Sequence, residues 1–472
     1  MEFTILQVWG TGGPSAEPLH IAKEPYAKHS ILHSPESRSL QRYKNEIDLF
    51  YEEGKWDDYK KITNPYEYIF LSWNRRSSRS VTTRQPLSRS YFKMIELWKR
   101  LDLDTFLKPL IDKNKGLITA HAAEGPGGFI EACTVISERN GWDYLSAFAI
   151  TLRSEAKNVP GWRKAARFLS YFPQIHIHDG EDGTGNILRI ENQNAYVESV
   201  RAEHIDGVHI FTADGGFDFS NDYNAQEDTV FPLFLAEVII GLQTLQKGGC
   251  MIIKCFDTIE LPTLHLLWLA SRAFCEWGIV KPRTSRAGNA ERYLIGKGFL
   301  GNIEDILGIL LEYQANASFT VPILGHVKEE SYKSFLVQIA GIQESIEHME
   351  IIVIKETLDL IKDTDRSVII RLVRSNIQRS IDWCMEHGEV VSHSWCDDME
   401  TNVISEANDL LHILKPPMNT ISYSYNNWNH RSTFHSQISF DGFRSTTMTL
   451  TPLKNNPFMR IKGKDAGTKI ER

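Results

Sequence analysis

At 472 residues the chain is too long for one ordinary hydrophobic core, so two domains with a helical annex are expected. The composition, 42% hydrophobic, 24% charged and 11% aromatic, is that of an ordinary soluble globular protein, and no apolar run is long enough to cross a bilayer, so no membrane partner is expected. The net charge of −8 predicts no polyanion partner by itself, which leaves the distribution of charge as the informative feature.

The N-terminus shows no charged segment followed by a clean apolar stretch, so no secretory signal is expected. Residues 1–41 have little periodicity and read as a loosely ordered lead-in. From Arg42 to Trp56 the apolar positions have the spacing of an amphipathic helix. Trp73 to Arg100 then sets eight basic residues against a single acid, Glu96. Such a run is either a solvated face or a phosphate-binding segment, and the interleaved Ser, Thr and Gln suit phosphate contacts.

From Lys115 to Phe299 short apolar runs recur: GLITAHAA, YLSAFAITL, QIHIH, GVHIFTAD, GGCMIIKCF and RYLIGKGF. Each has the length of a buried parallel strand. Helix-period segments lie between several of them, among them Phe129 to Arg139, Gln226 to Gln246 and Thr263 to Glu276. Alternation of this kind implies an α/β fold with a doubly wound, mostly parallel sheet, whose ligands bind at the carboxyl ends of the strands.

The turns after these strands are therefore the informative ones. GLITAHAA runs through Glu124, Gly125, Pro126, Gly127, Gly128 and Phe129 into a helix. Glycines let backbone amides approach a ligand, and a helix N-terminus favours negative charge. Neither a phosphate loop nor GxGxxG is present. A bare turn with Glu124 at its lip suits a ligand carrying both carboxylate and ammonium, such as the amino-acid end of S-adenosylmethionine. The other reading is a tight turn with no ligand. The stretch Ile177 to Ile187 offers Asp179, Glu181 and Asp182 to an adenine amine or a ribose hydroxyl, without the spacing of a calcium loop. Asp214 ends the strand FTAD, and Glu291 stands at the mouth of the last strand. Lys254 lies in MIIKCF, where a lysine is costly to bury unless paired or used; a snorkelling edge lysine is the alternative. The six cysteines form no CxxC pair and no zinc spacing, so they read as reduced thiols of a cytosol-like compartment, with no metal site.

Taken in order, SRSYFKMIEL, AEGPGGFIEA, ADGGFD, GGCMIIKCFD and TSRAGNAERYLIGKGF resemble the FtsJ-type (RrmJ-type) ribose 2′-O-methyltransferases. Within that group the chain is most similar to the mRNA cap ribose methyltransferases of eukaryotes and of large cytoplasmic DNA viruses. TNPYEYIF resembles the NPYE element of the cap enzymes, DGTGNI their DGDGDI, and ADGGFDFSNDYNAQE their ADGG…QE stretch. The resemblance spans about residues 60–300. It implies a Rossmann-like S-adenosylmethionine-dependent methyltransferase fold and a catalytic Lys-Asp-Lys-Glu tetrad at Lys93, Asp214, Lys254 and Glu291. It implies cofactor contacts from Glu124, Gly125, Pro126, Gly127, Gly128, Phe129, Asp182 and Asp214. Lys254 would take the proton of a ribose 2′-hydroxyl, or stabilise the alkoxide, with its pKa depressed by Lys93 and by burial. Two positions depart from the family pattern. His121 stands where the family often has Asp, so Glu124 is expected to take the methionine ammonium, and FAITLRS lacks an acid for the ribose hydroxyls.

The implied partner is RNA, specifically the capped mRNA 5′ end, together with other capping or transcription components. RNA is expected between the segment Trp73 to Arg100 and the loop KPRTSR, with Arg89, Arg283, Ser285 and Asn289 as candidate contacts. Trp56, Tyr66, Tyr68, Trp73 and Tyr91 lie in the region where a 7-methylguanine would stack; none is singled out. Ribosomal or transfer RNA is the alternative substrate, and an inactive scaffold on the same fold is the alternative to an enzyme. The expected location is the cytoplasm, or the virion for a viral source and the nucleus for a cellular one.

The expected domains are a partly helical N-terminal extension (1–72), the methyltransferase domain (73–300) and a separate C-terminal α+β region (301–472). In the last, Tyr332 to Glu386 has the periodicity of two or three amphipathic helices, Ser394 to Asp409 is acidic, and Ile421 to Thr451 reads as strands or a recognition surface. Its basic tail is expected to be mobile.

Overall fold

In the computed structural model of the chain, the described residues are 7–13, 18–23, 32, 34–51, 55–71, 80–154, 156, 159–216, 226–316, 321–414, 434–438, 446–451 and 460–463. The chain enters on a short strand, β1 (Gln7–Thr11), followed by helices α1 (Pro35–Tyr51) and α2 (Lys55–Thr63) and a 3-10 turn (Glu67–Ile69). Helices α3 (Ser90–Arg100) and α4 (Leu103–Asn114) lead into alternating elements: β2 (Leu117–Ala122), α5 (Gly128–Asn140), β3 (Tyr144–Ile150), α6 (Ala166–Tyr171) and β4 (Ile175–His178). These continue through α7 (Ile190–Glu203), β5 (Val208–Ala213), α8 (Gln226–Thr244), β6 (Leu245–Cys255), α9 (Leu261–Arg272), β7 (Phe274–Val280) and β8 (Arg292–Phe299). Helices α10 (Glu304–Ala315), α11 (Glu330–Lys362), α12 (Arg366–Glu386), α13 (His393–Asp397) and α14 (Met399–Leu414) follow.

The sheet has eight strands in the order β1-β7-β8-β6-β5-β2-β3-β4. Strands β4, β3, β2, β5 and β6 run parallel, while β8 is antiparallel to both β6 and β7, and β1 is antiparallel to β7. The chain steps outward from β2 to β4, then returns to lay β5 on the other side of β2. That reversal is the topological switch point, and its mouth lies at the carboxyl ends of β2 and β5. The expected doubly wound α/β fold is thus present, with an antiparallel edge.

Two strands lie where other structure is expected. β1 falls within the presumed lead-in, and β7 overlaps the helix expected over Thr263–Glu276, which ends at Arg272. The helical period continues past the true end because buried Phe274, already a strand residue, follows buried Ala270 at a spacing a helix also allows. The expected helix over Arg42–Trp56 is two helices, α1 and α2, with Trp56 on the second.

Helix α8 is enclosed on every side through its middle, where Leu235, Ala236, Val238, Ile239 and Ile240 are all fully buried. A helix of that kind needs partners all round. It packs on β5 and β6 and is flanked by α7, α9 and α10. α11 lies against α1, α2, α9 and β1, and α12 against α2 and the 3-10 turn. Contacts divide the chain into two compact units, residues 1–406 and 407–472. Within the second unit β9 (Phe434–Ile438), β10 (Thr446–Thr451) and β11 (Arg460–Gly463) form an antiparallel sheet in the order β11-β10-β9. Residues 421–433, part of the stretch read as strands or a recognition surface, and the basic tail from residue 464 lie outside the described residues. Among the described residues no helix is long and apolar enough to cross a membrane.

Candidate active site

Four elements bring one ionisable side chain each to the carboxyl edge of the sheet. Lys93 projects from α3, Asp214 follows β5, Lys254 lies on β6, and Glu291 immediately precedes β8. Lys93 Nζ donates to Glu291 at 2.7 Å and stands 4.0 Å from Asp214 Oδ1. Lys254 Nζ lies 3.2 Å from Asp214 Oδ1 and donates to the Asp214 carbonyl at 2.7 Å. The Tyr293 hydroxyl donates to Asp214 Oδ1 at 2.7 Å, a further contact that the motif reading does not give. All four side chains are 10–12% exposed, so each charge is largely removed from water and balanced by its neighbours.

The electrostatics correct one expectation. Burial pulls the Lys254 amine down, but Asp214, Glu291 and Glu237 more than offset it, so the pKa is raised rather than depressed. The carboxylates outnumber the one nearby lysine. Burial pushes the Glu291 carboxyl up, yet Lys93 and Lys254 outweigh it and hold it at about 2. Glu237, fully enclosed on α8 against the Gly215 backbone, is pushed well above the carboxylate range by burial.

A cleft of about 720 Å³ runs past Asp214, Lys254 and Glu291, a size suited to a cofactor with part of a substrate. One arm lies over the switch point and is lined by Gly125, Thr151, Leu152, Ile187 and Leu188. Its walls are partly bare backbone. A Cβ on Gly125 would meet the Gly161 carbonyl oxygen at 2.8 Å, so glycine is required for the two loops to approach. The opposite arm is lined by Lys44, Trp56, Lys60 and Thr357 from α1, α2 and α11, and by Asn64 just after α2.

Of the expected cofactor contacts, Gly125 and Asp214 line this cleft, and the others have different partners. Glu124 turns inward: its Oε2 lies 3.1 Å from His121 Nδ1, and the Thr212 hydroxyl donates to its other oxygen. His121 completes the network through Thr119 and Thr212, both at 2.7 Å. Burial raises the Glu124 pKa, with His121 and Thr212 offsetting only part of it. His121 therefore does not leave an ammonium site vacant for Glu124; the two residues pair beneath the turn. Gly127 takes φ +105°, which favours glycine, and Pro126 forms a cis bond with Gly125. Gly128 packs on α3, where a Cβ would meet the Tyr91 amide at 2.8 Å. Phe129 is a core residue, 5.9 Å from the Tyr293 ring. Asp182 caps its own loop, accepting from the Thr184 amide at 2.9 Å and pairing with Arg189 at 3.2 Å. The cleft is lined nearby by Asn186 instead.

The expected RNA contacts fare unevenly. Asn289 lines the cleft, while Ser285 is buried and bonds to Asn289 Oδ1 at 3.3 Å. Arg283 is paired with Glu386 at 2.6 Å. Arg89 is committed to the backbone, donating to the carbonyls of Tyr66 at 2.9 Å and Phe70 at 3.2 Å. It also lies 3.5 Å from Glu67, which Arg286 reaches at 2.9 Å. Elsewhere in the basic run Arg84 pairs with Glu389 at 3.1 Å, so acids from the end of α12 and beyond consume charge expected for phosphates. Trp73 and the basic residues 75, 76 and 79 lie outside the described residues. Among the candidate stacking aromatics, Tyr68 and Tyr91 are core, Tyr66 is half-buried, and Trp56 lines the cleft.

Sequence reasoning missed Lys281, whose amine donates to Asn289 O, Asn289 Oδ1 and Glu291 O at 2.6, 2.9 and 2.8 Å. Burial drags it down to about 8 against the pull of Glu350 and Glu291. It opens the loop KPRTSR, and only the strand before it, hidden in the sequence, shows that its amine is enclosed.

Residues 86–299 match the FtsJ-like methyltransferase family. A Dictyostelium discoideum protein named cap-specific mRNA (nucleoside-2′-O-)-methyltransferase 1 is 31% identical over 290 residues, covering 57% of this chain and 35% of that protein. Proteins of the same name from Trypanosoma brucei brucei and Homo sapiens are 31% and 33% identical over 218 and 211 residues. Those matches cover 45% and 43% of this chain, and 56% and 24% of the two relatives. The chain thus spans between about a quarter and about half of the length of these relatives. With the strand order, the glycine turn at the switch point and the match in hand, residues 86–299 are an FtsJ-like methyltransferase domain.

Proposed function

We propose that the chain is an S-adenosylmethionine-dependent RNA ribose 2′-O-methyltransferase that acts on the first transcribed nucleotides of capped mRNA. The observation that carries this reading is the meeting of Lys93, Asp214, Lys254 and Glu291, the last three on the wall of one cleft and Lys93 paired with Glu291 behind them. The names of the relatives support the cap as the substrate.

S-adenosylmethionine would supply a methyl group already activated on a sulfonium. The arm lined by Gly125, Leu152, Ile187 and Leu188 suits it: close backbone for the amino-acid end, and apolar walls for a purine. The acceptor ribose would lie at Lys254 Nζ, with RNA entering from the arm built by α1, α2 and α11. Lys254 would hold the 2′-hydroxyl, accept its proton as the oxygen attacks, and release that proton to solvent afterwards. Asp214 and Glu291 fix the two lysines, so that little reorganisation accompanies the step. Lys254 starts as an ammonium held by its carboxylates. A sulfonium entering the same cleft is a like charge and would lower that pKa, so that the amine gives up its proton more readily as pH rises.

The test is transfer of labelled methyl from S-adenosylmethionine to capped and uncapped RNAs of one sequence, with the product mapped to the ribose. Label on the 2′-oxygen of the first nucleotides, on capped RNA alone, is the expected result. Equal transfer to uncapped structured RNA would favour a ribosomal or transfer RNA substrate, and no transfer at all would leave the scaffold reading.

A further inference from the structure

The basic segment holds a single acid, Glu96, to which the tetrad gives no role. It lies on α3, one turn beyond Lys93, and is fully buried. Its Oε1 accepts the Arg283 amide at 2.7 Å. Its Oε2 accepts the Thr284 amide at 3.0 Å and the Thr284 hydroxyl at 2.9 Å. The Trp383 indole of α12 reaches the same oxygen at 3.4 Å. Successive backbone amides, a hydroxyl and an indole therefore converge on one carboxylate.

The position of these donors gives the contact its meaning. Arg283 and Thr284 open the loop between β7 and β8, and Glu291 closes it. Lys281 ties the far end of the loop back on itself through the Glu291 carbonyl. Glu96 is thus the link between the helix that bears Lys93 and the loop that bears Glu291. We propose that Glu96 is a positioning residue that sets the Lys93–Glu291 pair, and that through Trp383 it makes α12, outside the matched domain, part of that setting. The inference rests on the methyltransferase reading above.

A carboxylate is acceptor-only, and every neighbour here is a donor. Glu96→Gln places an amide NH₂ against a donor, so it is not a conservative change at this site. The experiment is steady-state methyl transfer by Glu96→Gln, Glu96→Ala and Thr284→Val in the full chain, well below the melting temperature of each. The cofactor dissociation constant is measured alongside. For the Glu96 variants kcat is expected to fall about 100-fold, as for a reacting pair displaced by an ångström. KM for RNA and the cofactor constant are expected to stay within about twofold. Thr284→Val loses one donor and keeps both amides, so its kcat is expected to fall less, about fivefold to tenfold; it carries the test if the Glu96 variants do not fold. Wild-type kcat in folded Glu96→Gln, or in Thr284→Val where that stands in, overturns the inference. So does a fall in kcat matched by an equal loss of cofactor binding. A wild-type chain that methylates no RNA removes the methyltransferase reading and this inference with it, a result distinct from an active wild type with unaffected variants.

Discussion

Lys93 and Glu291 stand 198 positions apart in the chain and meet at 2.7 Å, and Asp214 lies 4.0 Å from the same amine. Lys254 completes the alternation at 3.2 Å from Asp214. Two amines and two carboxylates interleaved in this way hold one another rigidly and leave the group near neutral. This explains how a lysine can be enclosed on β6 without unfolding the strand. It also explains why Lys254 holds its proton in the neutral range.

The pH dependence of single-turnover methyl transfer follows from that. A general base acts only when unprotonated, and the Lys254 pKa is raised above its ordinary value of 10.5 by carboxylates that outweigh burial. The unprotonated fraction therefore climbs throughout the neutral and mildly alkaline range. The rate is expected to rise from pH 6 to pH 9 with a slope of about one on logarithmic axes. A flat profile under conditions where chemistry limits the rate would show that Lys254 works as an ammonium only.

Arg89 is expected to matter for stability rather than for RNA affinity. Its guanidinium donates to the carbonyls of Tyr66 and Phe70 and lies beside Glu67, with 19% of the side chain exposed. Arg89→Ala strands these acceptors and should cost roughly 3 kcal/mol in denaturant unfolding. The salt dependence of RNA binding should not change, because no phosphate contact is lost. A variant of wild-type stability with a shallower salt slope would restore the phosphate-contact role expected from sequence.

Acid should weaken the N-terminal side of the cleft. Burial raises the Glu67 carboxyl, but Arg89 and Arg286 bring it down to about 2, against 4.5 for the free group. A carboxyl depressed on folding stabilises the protein above its unfolded pKa, and that stability is lost as pH falls through the folded one. Unfolding free energy is therefore expected to fall by about 3 kcal/mol between pH 5 and pH 2 on account of this group. Glu67→Gln should be less stable at pH 7 and lose less on acidification. An identical acid response in wild type and variant would contradict the assignment.

Much of this architecture can be read from the chain before any coordinates. The parallel strands announce themselves as short apolar runs because both faces of the sheet are covered. β7 does not, since FCEWGIV begins with Cys275 and Glu276 facing outward and follows a buried helix with hardly a break. β1 is short and pairs with a strand some 270 positions away, which no local pattern reveals. Lys93, Asp214, Lys254 and Glu291 are recoverable as a group only through the family resemblance of the motifs that carry them. The direction of a polar side chain is not: Glu124 and Asp182 stand in loops that reach the cleft and Arg89 in the basic segment expected to meet RNA, and each turns away into a hydrogen-bond network. Glu96 was visible as the one acid among many bases, but its partners at Arg283, Thr284 and Trp383 appear only in three dimensions.

The most direct measurement takes Lys254→Ala and follows cofactor binding and methyl transfer side by side. S-adenosylmethionine affinity close to wild type, with transfer reduced by at least about a thousandfold, is the expected result. Substantial residual transfer, or parallel loss of binding and turnover, would mean that the proton of the ribose hydroxyl leaves by another route.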